Sequence, residues 1–147
     1  MKVIGIAFSD LHLGEYSKFN EDNKRTLNHI RVLYLIKDLC IKYKCPAFFC
    51  GDFMHRPEFI STSLDEIIIE QFEELNRCEE FNIYGISGNH DLQKSNTIER
   101  RSSSHWANLC RRYSFLHNID FSYHDFGKFR VVGIPYICLL YTSPSPR

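Results

Sequence analysis

Three short stretches hold the residues that could do chemistry. They are Asp10-Leu11-His12, Gly51-Asp52 with His55 close behind, and Gly88-Asn89-His90-Asp91. Each closes an apolar run: residues 3–9, 47–50 and 82–87. Carboxylate, imidazole and amide oxygen together suit Mn²⁺, Fe²⁺ or Zn²⁺, with no sharp choice among them. One such pair alone is ordinary, because Asp and Asn favour strand-ending turns through bonds to their own backbone. Three in succession, each at the end of a strand, point to a site. Two ions about 3.5–4 Å apart would activate a water and steady the oxygens of an in-line displacement at phosphorus.

The elements that must position these residues follow from pattern. Residues 3–9 form a continuous apolar run, as suits a strand covered on both faces. Residues 23–44 read as a long helix with apolar side chains around most of its circumference, so it should be largely packed. Ser63 and Glu66 have the spacing of a capping box. Behind them Leu64, Ile67, Ile68, Phe72, Leu75 and Cys78 make one helical stripe, with Glu66, Glu70, Glu73 and Arg77 on the solvated side. A short helix is expected over 104–112, and the segment from Ile119 to Tyr136 reads as a hairpin turning near Gly127. Strand, helix, strand, helix, strand and hairpin make an α/β pattern with a mainly parallel sheet. The carboxyl ends of parallel strands share one edge, where ligands bind. Asp10, His12, Asp52, Asn89 and His90 should therefore converge. Side chains two apart on an extended segment point the same way, so Asp10 and His12 can grip one ion while Leu11 faces away.

The 147 residues suffice for one domain with a core, and 18 basic residues balance 18 acidic ones. Neutral net charge gives no global case for a nucleic acid or a membrane surface. No apolar stretch has bilayer length and the N-terminus has no signal-peptide pattern, so a cytoplasmic location is expected. The six cysteines contain no CxxC spacing and read as small buried apolar residues. The one basic cluster is "IERRSSSHWANLCRRY". There Arg100, Arg101, Arg111 and Arg112 follow Lys94, with Trp106 and Tyr113 interleaved. It reads either as contact with a phosphate backbone or as a solvated helix face over a core Trp, the second being favoured. His29 and His105 read as structural or surface residues.

"DLHLG", "GDFMH" and "GNHD" resemble the first three signature motifs of the calcineurin-like metallophosphoesterases, over residues 1 to about 137. Within that superfamily the chain is most similar to the SbcD-type DNA double-strand-break repair exonucleases of bacteria and phages. The first motif continues as HLG, and the second is GDxxH followed by Pro57 rather than GDxxDRG. The third ends in Asp91, where the Ser/Thr protein phosphatases carry Glu. The resemblance implies metal-dependent phosphodiester hydrolysis on DNA. The cofactor would be two divalent ions, Mn²⁺ first, with Fe²⁺ or Zn²⁺ as alternatives. Asp10 and His12 would hold the first ion, Asp52 would bridge, and Asn89 would hold the second. His90 would be the catalytic histidine, and Asp91 would orient it. His55, Arg100 and Arg101 are candidates for positioning DNA. An SbcC-type coiled-coil ABC ATPase is the implied partner, a homodimer is compatible with the family, and no membrane is involved. A phosphatase or small-molecule phosphodiesterase, and a non-catalytic binding protein of this fold, are the alternatives.

The family pattern also needs a further His and a GHxH motif, which this chain does not show; His117 and His124 do not match. The expected architecture is thus a partial metallophosphoesterase βαβαβ sandwich lacking its C-terminal strands, weak or inactive alone. Residues 1–138 would be the N-terminal part of the domain. Residues 139–147, ending "SPSPR", resemble translated adapter sequence and are expected to be a non-native tail.

Overall fold

The computed structural model describes residues 2–14, 24–55, 61–92 and 104–136. The order is β1 (Ile6–Phe8), α1 (Lys24–Tyr43), β2 (Ala47–Phe49), α2 (Thr62–Asn76), β3 (Ile83–Gly85), α3 (His105–Arg112) and β4 (Leu116–Asn118). A hairpin of β5 (Tyr123–Asp125) and β6 (Arg130–Val132) follows. The first four strands form one parallel sheet in the order β1-β2-β3-β4, and the hairpin is antiparallel. Phe8, Phe49, Gly85 and Asn118 lie in a single row across the sheet. All four strands therefore end at one level, and their loops leave from a common edge.

Alternation in the strands decides the layers. Ala47, Phe49, Ile83 and Leu116 face the helices and are buried. On α1 the inward stripe is Thr26, Ile30, Leu33, Ile36 and Cys40; on α2 it is Leu64, Ile68, Phe72 and Leu75. Aromatic rings fill the centre: Phe53 meets Phe49 at 5.4 Å, Phe72 at 5.7 Å and Trp106 at 5.5 Å between centroids. The opposite face presents Phe48, Tyr84 and His117. The hairpin covers these with His124, Phe126 and Phe129: Tyr84 lies 4.2 Å from His124, and Phe48 lies 5.7 Å from Phe126.

Three expectations need correction. The fourth parallel strand has no apolar run to announce it, since Leu116-His117-Asn118 offers one apolar residue in three. His117 is accommodated because its ring stacks on Tyr84 and its Nε2 pairs with Asn82 Oδ1 at 2.8 Å. The cap of α2 is Ser61, whose hydroxyl accepts the Leu64 N–H, rather than Ser63, which lies inside the helix. Nor is α1 packed all round: one helix layer on a sheet covers one stripe, and Val32 and Leu35 stay 43% and 60% exposed. No described cysteine forms a disulfide. Burial in the core pushes the Cys40 thiol up to about 12, consistent with an inert apolar role, whereas Cys50 is exposed and departs from the expected burial.

Candidate functional site

The loops after β1 and β2 are zipped together by backbone bonds. Asp10 N–H donates to the Gly51 carbonyl at 3.0 Å, His12 N–H to Asp52 at 3.0 Å, and Leu13 N–H to Phe53 at 2.8 Å. His55 N–H returns the contact to Leu13 O at 2.8 Å, closing a short parallel bridge between Leu13 and Met54. Leu11, Leu13, Phe53 and Met54 anchor these loops in the core. The intervening polar residues are thereby held at the edge of the sheet.

Asp10 and His12 meet by a route other than the extended one. Both have left-handed backbone, φ 57° and 45°, as does Asp52 at 65°. Such residues cost on the order of 1–3 kcal/mol each and gather at functional sites; Asp and His tolerate them better than most. The two turns still bring His12 Nε2 to 3.5 Å from Asp10 Oδ1. The Ser9 hydroxyl donates to the other Asp10 oxygen. One ligand atom each from Asp10, His12 and Asp52 falls within 4.8 Å of the others. Two carboxylates and an imidazole form a donor set that fits a divalent cation of the Mn²⁺, Fe²⁺ or Zn²⁺ class.

The third loop docks onto Asp52. Asp52 Oδ1 accepts the His90 N–H at 3.0 Å, and the Asn89 amide nitrogen donates to both Asp52 oxygens at 3.1 Å. A half-turn of that amide would present its oxygen to a cation instead. Gly88 permits the approach: a Cβ there would lie 2.1 Å from Asp52 Oδ1. The His12 and His90 rings stand edge to face with centroids 4.8 Å apart, and His55 stacks on His90 at 6.1 Å. His55, predicted as a loop residue or a DNA-positioning group, thus lines the site, half-buried.

Asp91 does something other than orient His90. It is fully buried, and its Oδ2 accepts the N–H groups of Asp52 and Gly88 at 2.9 and 2.8 Å. Its Oδ1 accepts those of Phe53 and Met54 at 2.9 and 3.1 Å. Burial pushes this carboxyl up from the usual range, and the four donors pull it back toward the ionised form. His90 Nδ1 instead faces the His55 carbonyl at 3.2 Å. Asp91 is a clamp between the second and third loops, because four donors saturate its oxygens before an imidazole could reach them.

A second brace escaped sequence reasoning. Asp120, just beyond β4, accepts the Ser87 N–H at 2.8 Å and the Ser87 hydroxyl at 2.6 Å. Ser87 Oγ lies 2.7 Å from Ser104 Oγ, which also caps α3 by accepting the Ala107 N–H. The signal available was an Asp at the end of a strand, hidden because that strand was itself unrecognised. In the basic cluster, Lys94, Arg100 and Arg101 lie outside the described residues. Trp106 and Tyr113 are core residues, 0% and 3% exposed, and offer no ring to a nucleic acid. The first turn of α3 abuts the site, where His105 N–H donates to Asp91 O at 3.0 Å. Arg111 and Arg112 sit in its last turn, which leads to the start of β4.

Among the described residues no helix is long and apolar enough to cross a membrane. The family model described as calcineurin-like phosphoesterase matches residues 6–140. A solved structure, that of the nuclease MPE from Pseudomonas putida, superposes with a TM-score of 0.50 at 14% identity. The match covers 84% of this chain and 50% of that one, so the chain spans about half the length of that protein. No curated protein sequence matches the chain.

Proposed function

The chain belongs to the calcineurin-like phosphoesterase family, and on that premise we propose that it carries the metal-binding edge of a nuclease that hydrolyses phosphodiesters in DNA. The observation behind this reading is the convergence of Asp10, His12 and Asp52 within 4.8 Å, with His90 against His12. Asp10 and His12 would hold one divalent ion, Asp52 would bridge, and Asn89 would hold a second. Bound cations would polarise the phosphoryl oxygens and make a water nucleophilic near neutral pH. The residues do the rest. A carbonyl can only accept, so the His55 carbonyl keeps the proton of His90 on Nδ1. His90 Nε2 is left to gain a proton and pass it to the leaving oxygen. Asp91 is a positioning residue that fixes the loop carrying Asn89 and His90 relative to Asp52.

The choice of DNA as substrate, of Mn²⁺ as metal and of a coiled-coil ABC ATPase as partner in repair rests on the motif resemblance. The name of the Pseudomonas putida neighbour is in keeping with it, while a likeness at that identity bears on fold alone. Metal binding is the primary readout. Titration of Mn²⁺ by electron paramagnetic resonance should show binding that Asp10→Asn and Asp52→Asn abolish and His90→Asn preserves. Cleavage of double-stranded DNA with Mn²⁺, removed by a chelator and by His90→Asn, supports the nuclease reading. Turnover of p-nitrophenyl phosphate with none on DNA would move the protein to the phosphatases.

A further inference from the structure

The site holds a second group of candidate ligands. His12, His55 and His90 each offer a ring nitrogen, and these nitrogens lie within 4.8 Å of one another. His12 is edge-on to both partners, at 4.8 Å from His90 and 5.8 Å from His55, while the His55 and His90 rings lie nearly parallel at 6.1 Å. All three are half-buried, so the imidazoles are partly shielded yet reachable. The Nδ1 of His90 is already engaged by the His55 carbonyl at 3.2 Å. That is the kind of outer bond that fixes a ligating tautomer and leaves the Nε2 lone pair free.

We propose that His12, His55 and His90 form a three-imidazole site for a borderline-soft cation of the Zn²⁺ class, one that antagonises the carboxylate site. Three imidazoles and a water complete the tetrahedron that Zn²⁺ favours, whereas Mn²⁺ prefers the oxygen-rich set of Asp10, His12 and Asp52. Both sets need His12, so occupation of one excludes full occupation of the other. Zn²⁺ on His90 also takes the lone pair that would carry the leaving-group proton. The inference rests on the proposed function through the shared His12 and the proton-donor role of His90.

The two sites have private residues, which makes them separable. His55 and His90 belong to the imidazole set alone, and Asp52 to the carboxylate set alone. The full chain and its His55→Ala, His90→Gln and Asp52→Asn variants would be titrated with Zn²⁺ against a chromophoric chelator. Co²⁺ would serve as the visible probe of tetrahedral geometry, and circular dichroism would check each fold. His55→Ala and His90→Gln should each lower Zn²⁺ affinity by more than the ~10–100-fold lost with a supporting residue. Asp52→Asn should abolish Mn²⁺ binding while keeping the part of Zn²⁺ binding that His55→Ala removes. Zn²⁺ should release bound Mn²⁺ from the parent chain at lower concentration than from His55→Ala, where it competes only at the carboxylate set. If His55→Ala fails to fold, His90→Gln decides. Undiminished Zn²⁺ affinity in both histidine variants, or equal loss of Zn²⁺ and Mn²⁺ in Asp52→Asn, overturns the proposal. Failure of the parent to bind Mn²⁺ while Zn²⁺ follows the histidines would instead remove the nuclease reading and leave the imidazole site standing.

Discussion

Replacing Asp91 by Asn would test whether this residue is a clamp or an orienting partner for His90. The carboxylate uses both oxygens, each for two backbone donors. Asn keeps the shape but turns one oxygen into an NH₂ group, and either orientation of the amide sets that group against two N–H donors. Two hydrogen bonds to a charged acceptor are worth about 1.5–3 kcal/mol each, so the loss should be about 3–6 kcal/mol. A domain of this size has roughly 5–15 kcal/mol in total. Urea denaturation of the parent and variant, followed by circular dichroism, measures the difference from the shift in midpoint at constant slope. Mn²⁺ affinity should fall as well, because Asp52 loses the bond that holds its own N–H. His90→Asn, by contrast, should leave the midpoint nearly unchanged. A midpoint for Asp91→Asn within about 0.5 kcal/mol of the parent, inside the range of ordinary surface substitutions, would refute the clamp. If the pH dependence of turnover moved instead, the orienting role would be restored.

Gly88→Ala should be damaging for a related reason. The new methyl would sit 2.3 Å from the Asp52 backbone nitrogen, which cannot yield as a flexible side-chain end could. The expected cost is about 1–3 kcal/mol with loss of Mn²⁺ affinity, measured by thermal melting and metal titration. Acid should destabilise the fold through histidines outside the site. Burial holds His105 and His117 below 6.5, with nearby Asp65 opposing it for His105 and His124 reinforcing it for His117. Below about pH 6.5 the unfolded chain takes up protons that the folded chain resists. Stability is therefore full above that value and is lost as pH falls through it toward the lowered folded values. Urea midpoints across this window should decline with falling pH, and His117→Gln should flatten the decline.

The edge of the sheet on which the site sits was legible because two independent patterns agreed. Apolar runs marked three strands, and each ended in ligand-type residues. Parallel pairing in register then required those ends to coincide, as the row from Phe8 to Gly85 shows. The fourth strand was not legible, since His117 owes its place to contacts with Tyr84 and Asn82 that lie far off in sequence. Asp120 went unseen with it. A strand recognised through tertiary partners leaves no periodic trace, so its terminal residues cannot be weighed as site residues.

The geometry of the ligands was hidden for a different physical reason. Pattern reasoning put Asp10 and His12 on one face of an extended chain, yet both are left-handed, as is Asp52. Nothing in Asp-Leu-His specifies that backbone, which is intrinsically unfavourable there. It is imposed by bonds from the neighbouring loop: the Asp10 and His12 N–H groups are fixed on Gly51 and Asp52, and Asp52 in turn on Asp91. Strain persists only where surrounding structure over-determines it. The buried Leu11 and Leu13 supply that constraint from below and the Asp91 clamp from the side. Residue types at the site follow from coordination chemistry and could be read directly. Their conformation follows from the clamp, so Asp91, although it offers no atom to a metal, has as strong a claim on the precision of the site as any ligand.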